Sequence, residues 1–152
     1  MKQYKIKTMT RYLLIFALLL WAVSSSAQSK NDQAIVLQKC IAMPQVNQFY
    51  QLDKTGIPVS IYAITTSVHL EEGLDVSYRG RKVTFVTQAQ MEAIKADSYI
   101  NFVSFKLATD KASVTFDYFH KSNTGNKVIR LDVELNKVGG DWIISETKET
   151  GW

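Results

Sequence analysis

Residues 111–145 read KASVTFDYFHKSNTGNKVIRLDVELNKVGGDWIIS, and the alternation in this stretch decides the fold. Ala112, Val114, Phe116 and Tyr118 alternate with Ser113, Thr115 and Asp117. Ile129, Leu131, Val133 and Leu135 alternate with Arg130, Asp132 and Glu134. Successive side chains of a strand point to opposite faces, so each run is a strand with one apolar and one polar face. Ser122 to Asn126 turns the chain between them, and Gly139-Gly140-Asp141 turns it again into Trp142-Ile143-Ile144-Ser145. Just upstream, Tyr99 to Leu107 forms another run, with Asn101, Val103, Phe105 and Leu107 expected on one face and Phe102 on the other. Thr109-Asp110-Lys111 is the turn after it. Four strands with short turns predict an antiparallel meander packed on a single face.

Further upstream the pattern changes. Residues 31–53 predict helix in two pieces. Asn31 or Asp32 can cap the first, and Leu37, Cys40 and Ile41 share a helical face. Pro44 suits the first turn of a second piece, with Val46, Phe49 and Tyr50 on its apolar side. Residues 57–66 are rich in β-branched and aromatic side chains and predict a strand. Val76 and Tyr78, then Val83 and Phe85, flank Arg79-Gly80-Arg81 as a hairpin. Thr87-Gln88-Ala89-Gln90 is a capping-box pattern, predicting a short helix through Met91 and Ile94 to about Asp97 or Ser98. The fold class that results is α+β: a curved antiparallel sheet with a C-terminal four-stranded meander, packed on one face by N-terminal helices and one short helix.

This order of helix then meander resembles the cystatin-like and nuclear-transport-factor-2-like superfamily, including its small exported bacterial members. The closing Leu131 to Ile144, LDVELNKVGGDWII, is similar to the last hairpin of many secreted members: an alternating strand, a Gly/Asp turn, then Trp142 and its isoleucines. The resemblance covers about the last fifty residues. It implies a cone-shaped α+β fold whose sheet has a concave side.

Charge and cysteine usage bear on location. The 152 residues carry 18 Lys+Arg and 14 Asp+Glu, a formal charge of +4. Residues 1–27 read as a secretory signal peptide: Lys2, Lys5, Lys7 and Arg11 without an acid, an apolar run Tyr12 to Val23, and Ser25 and Ala27 as the small residues before cleavage. The apolar run is shorter than the ~17–25 residues that span a bilayer. Cleavage after Ala27 removes four of the eighteen basic residues and no acid, leaving fourteen of each sign on a single 28–152 domain. The exported domain therefore has no net charge to draw it to nucleic acid. The expected location is periplasmic or extracellular, with no stable membrane anchor after cleavage. Cys40 is the single cysteine. It reads as a buried small apolar residue, the alternatives being an intermolecular disulfide or a reactive thiol.

Motifs that carry chemistry are missing from the sequence. It has no Gly-x-Ser-x-Gly elbow, no phosphate-binding Gly-x-x-x-x-Gly-Lys loop and no Gly-x-Gly-x-x-Gly fingerprint, so no cofactor is implied. His69 with Glu71 and Glu72 is too sparse for a metal centre. Asp117 and His120 are three apart on a strand and point to opposite faces. Two groups of side chains remain as candidates. Phe102, Tyr118, Phe119, His120 and Trp142 are the candidate ligand contacts on an apolar concavity, while Phe102 and Phe119 can equally pack a second face under a helix. Arg79, Arg81 and Lys82 are the candidate anion contacts on a hairpin tip.

Three functional readings are compatible with these residues. The first is an exported, non-enzymatic binding or interaction domain whose partner is an unidentified small molecule or protein. The second is an isomerase- or dehydratase-like enzyme whose base is Asp117, His120 or Asp132 in an apolar pocket. The third is a self-associating envelope protein, a homodimer that buries an edge strand or Phe119.

Overall fold

A computed structural model describes residues 29–50, 60–122 and 125–151. The signal peptide expected over 1–27 lies outside these residues. The chain divides into two compact units, 1–32 and 33–152. Of the first, residues 29–32 are described, and they are helical. Every described strand belongs to the second.

Helix α1 continues to residue 41, and helix α2 spans Pro44–Tyr50. Val36, Leu37, Cys40 and Ile41 form one face of α1 and are almost wholly excluded from solvent. Proline begins α2, where its missing N–H costs no helical hydrogen bond. Val46 joins the same core. The side chains of Phe49 and Tyr50 and residues 51–59 lie outside the described set. So does the start of the strand expected over 57–66, of which the structure has β1, Ile61–Ile64.

The remaining strands are β2 (Ser77–Tyr78), β3 (Arg81–Val86), β4 (Ser98–Leu107), β5 (Lys111–Ser122), β6 (Gly125–Val138) and β7 (Asp141–Gly151). Between β3 and β4 lies α3, Gln88–Ile94. Among the described residues the sheet has seven strands, in the order β2-β3-β1-β4-β5-β6-β7. It curls into a half-barrel. The four-stranded antiparallel meander is its β4–β7 half.

The other half corrects the expectation of an antiparallel sheet. β1 runs parallel to both of its neighbours, β3 and β4. β3, α3 and β4 therefore form a crossover unit with β1 inserted between its two strands. Parallel strands need such a long connection, usually helical, because a tight turn can only reverse the chain. The crossover also corrects the placement of the helices. Ala63 faces the same side as Ile100, against α1, whereas Ile64, Val86 and Met91 of α3 cluster on the other side. Helices thus cover both faces: α1 and α2 the larger core, α3 the smaller.

The capping box forms as its residues require. Gln90 N donates to Thr87 Oγ1 at 3.3 Å, and Thr87 N donates to Gln90 Oε1 at 2.8 Å. The helix stops earlier than expected, at Lys95, which adopts a left-handed conformation with φ of 54°. The β6–β7 turn has Gly139 and Gly140 at φ of 62° and 95°, values that a two-residue hairpin demands and glycine adopts without steric cost.

A bulge in β4 overturns the assignment of its faces. Phe102 lies opposite Phe116, but Ser104 lies opposite Thr115, so Val103 is an extra residue. Before it, Ile100 and Phe102 face the larger core; after it, Phe105 and Leu107 do. Asn101 and Val103 therefore do not share the face of Phe105 and Leu107, and Phe102 is not on the opposite face. The extra residue inverts the alternation at that point.

Candidate functional site

The five candidate ligand contacts do not converge on one place. Phe102, Tyr118 and Trp142 are 0%, 0% and 1% exposed and belong to the larger core. Phe102 and Phe116 rings pack at 5.7 Å between centroids, tilted by 50°. This concave side of the sheet is occupied by α1 and α2, whose Val36, Leu37, Cys40, Ile41, Met43 and Val46 are buried in the same cluster.

Phe119 is on the opposite face, half-buried, with its ring stacked on Tyr99 at 4.8 Å. Tyr99 in turn packs against Ile64, Val86 and Met91. Phe119 thus extends the smaller core beneath α3. Burial, reinforced by the Asp117 carboxylate, pushes the Tyr99 hydroxyl above its ordinary pKa.

His120 sits half-buried near the end of β5, directly across from Ser98. Its Nδ1 is 2.6 Å from Ser98 Oγ. Asp117 points the other way and is held by Arg130 in a two-pronged pair: Nε to Oδ1 at 2.6 Å and Nη2 to Oδ2 at 2.8 Å. The planar guanidinium fork matches a carboxylate, and that bond pushes the Arg130 pKa further up. Asp132 Oδ1 accepts a 2.7 Å hydrogen bond from Thr115 Oγ1 on the same face. Asp117 and Asp132 share one face of the sheet, and His120 projects from the other.

The basic tip is exposed throughout. Arg79 has φ of 46° and places its guanidinium 5.8 Å from the centre of the Tyr78 ring. Arg81 pairs across the hairpin with Tyr78, and Lys82 with Ser77. Being adjacent on a strand, Arg81 and Lys82 project to opposite faces, so the three cations are not gathered around a single anion position.

Cys40 is fully buried, and that burial pushes its thiol up to about 12. A thiol held protonated and out of reach of solvent is neither a nucleophile nor open to an intermolecular disulfide. His69 is exposed. Among the described residues no group of three His, Cys, Asp or Glu side chains could hold a metal ion. No described helix is long and apolar enough to cross a membrane.

Among the described residues, hollows open at two places on the surface. One, of about 200 Å³, lies at the β4–β5 turn and includes Lys106, Lys111 and Glu134. The other, of about 220 Å³, is lined by Gln45 and Gln48 of α2, Ile129 and Glu149. Both are small and shallow beside the ~300–1,000 Å³ clefts that enclose small-molecule ligands.

Four pairings have no local signal in the sequence: Ser98 with His120, Tyr99 with Phe119, and, from α1, Gln33 with Glu71 and Gln38 with Ser77. Gln33 Oε1 accepts from Glu71 N at 3.0 Å, and Gln38 Oε1 accepts from Ser77 N at 2.9 Å. These two amides satisfy the backbone donors of Glu71, which lies outside any strand, and of Ser77, the first residue of β2. The turn expected over 122–126 would set Asp117 opposite Leu131; instead Ser122 ends β5 and pairs with Gly125 at the start of β6, which sets Asp117 opposite Arg130 and keeps polar residue against polar. No protein-family model, curated protein or solved structure matches this chain.

Proposed function

We propose that this chain is a small exported binding or interaction domain without catalytic chemistry, released to the periplasm or the cell exterior after loss of residues 1–27. The observation that carries this reading is the filled concave side. In the cone-shaped fold that the sequence resembles, a small-molecule site would open there; here the space holds side chains of α1 and α2. Two of the candidate bases give the enzyme reading little support, since Asp117 is paired with Arg130 and Asp132 accepts a hydrogen bond from Thr115. Contacts with a partner therefore fall to strand edges, loops and the half-exposed outer face.

A thermal-stability screen of the purified protein against peptides, glycans and small acids tests the reading. A ligand that binds only the native state raises Tm further as its concentration rises above its Kd, with a logarithmic dependence. Turnover of any screened compound that His120→Ala or Asp117→Asn abolishes would overturn it. Mass spectrometry of the protein recovered from expressing cells tests export: the expected chain starts at Gln28, and an intact Met1 chain held in the membrane refutes it.

A further inference from the structure

We infer that a second copy of this chain pairs along the outer edge of β7, antiparallel, about a twofold axis at Thr147. The inference deepens the interaction reading by naming one partner. β7 ends the sheet and is eleven residues long. The outer side of such a strand presents a row of backbone donors and acceptors that another strand can pair with.

The charges select the register. A twofold axis perpendicular to the sheet returns every residue to its own face, so residues that meet across the junction share a facing. With the axis at Thr147, Glu146 meets the partner's Lys148, and Lys148 meets the partner's Glu146. Moving the axis to residue 146 sets Glu146 against the partner's Glu146. Moving it to residue 148 sets Lys148 against the partner's Lys148. Opposite charges directly across a ladder stabilise it, and like charges there destabilise it. The edge is thus self-complementary in one register and repels itself in those on either side.

A second observation points the same way. Within one chain Glu146 lies directly opposite Glu134, and both are exposed. Two like charges at facing positions are unfavourable in the isolated sheet. Lys148 lies opposite Asp132. In the pair, one row runs Glu134, Glu146, the partner's Lys148, the partner's Asp132. A cation then stands beside the glutamate that the single chain leaves facing its like. The row is repeated by symmetry on the other side of Thr147. Ser145 is the extra residue of a bulge between β6 and β7, and its Oγ donates to the Glu134 carbonyl at 3.1 Å. The bulge ends the regular edge just before Glu146, so the junction is short and centred on the charged residues.

Sedimentation equilibrium of protein purified from cells expressing the full chain tests this. The expected result is a monomer–dimer equilibrium that weakens as salt is added. Glu146→Lys and Lys148→Glu should each raise the dimer Kd by about tenfold, since each turns two attractive pairs into two repulsive ones. The double reversal Glu146→Lys with Lys148→Glu restores the attraction and should return the Kd close to that of the parent. Glu146→Lys alone also removes the opposition to Glu134, so its monomer should melt no lower than the parent monomer, which separates loss of pairing from loss of fold. A monomer at every concentration overturns the inference, as does a dimer that neither single reversal weakens; the ligand screen remains the separate judge of the binding reading.

Discussion

The two faces of the sheet are built from the same strands and behave differently. The concave face carries Phe102, Phe116, Tyr118, Leu131 and Trp142 against α1 and α2. The convex face carries a small buried cluster, Ile64 and Val86 with Met91 of α3, and then a polar field with the Asp117–Arg130 and Thr115–Asp132 pairs. The alternation of a strand permits this division, but the partner laid on each face decides how much is buried. Two helices fill the curl on one side; a single crossover helix of seven residues covers only the β1, β3 and β4 end on the other. The concave face supplies cohesion, and the convex face is left available to solvent.

Substitutions can break or sharpen that contrast. Phe116→Ala, at the centre of the larger core, should cost about 3–5 kcal/mol in chemical denaturation, because removing the ring leaves a cavity that the surrounding strands cannot close. Met91→Ala should cost about 2 kcal/mol, at the low end for a buried methionine, since the smaller cluster lies near the surface and can collapse around the gap. A loss at Met91 equal to that at Phe116 would show that the convex cluster is as deeply integrated as the concave one.

Cys40→Ala should have the smallest effect at neutral pH, about 1 kcal/mol. Its pH dependence is more telling. The folded thiol keeps its proton up to about 12, whereas the unfolded thiol releases it from 9.0. The unfolded state therefore binds fewer protons than the folded one between these values, and the parent loses stability as pH rises through that window. The alanine variant has no such loss, so the gap between the two should narrow from pH 9.0 upward in matched urea melts. A gap that stays constant to high pH would show that the Cys40 site admits water.

Local chemistry made much of this fold legible. The β2–β3 hairpin, the α3 capping box and the four meander strands each have their signal within a few residues. Two features had no local signal. The first is the insertion of β1, because parallel pairing joins strands far apart in sequence and leaves no turn to read. The second is the extra residue at Val103. Carried down the hairpin from the 109–111 turn without a bulge, the register sets His120 against Tyr99; the bulge slides it to Ser98. One residue thus reverses the face expected for Phe102 and brings Ser98 across from His120. The aromatic candidates share their chemistry, and burial divides them: Phe102, Tyr118 and Trp142 serve the core, and Phe119 serves the rim of the smaller cluster.

The sheet ends in two very unequal strands, two residues in β2 and eleven in β7. Beside β2 is the exposed Arg79-Gly80-Arg81-Lys82 tip, a charged margin that discourages strand addition. Two chains joined at β7 would show only this margin at each outer limit. Growth by strand addition would then stop at two, whereas a sheet with two long open margins can polymerise without limit. Shortness at one end would then act as a chain terminator, so that pairing at the other end closes a dimer without seeding fibres.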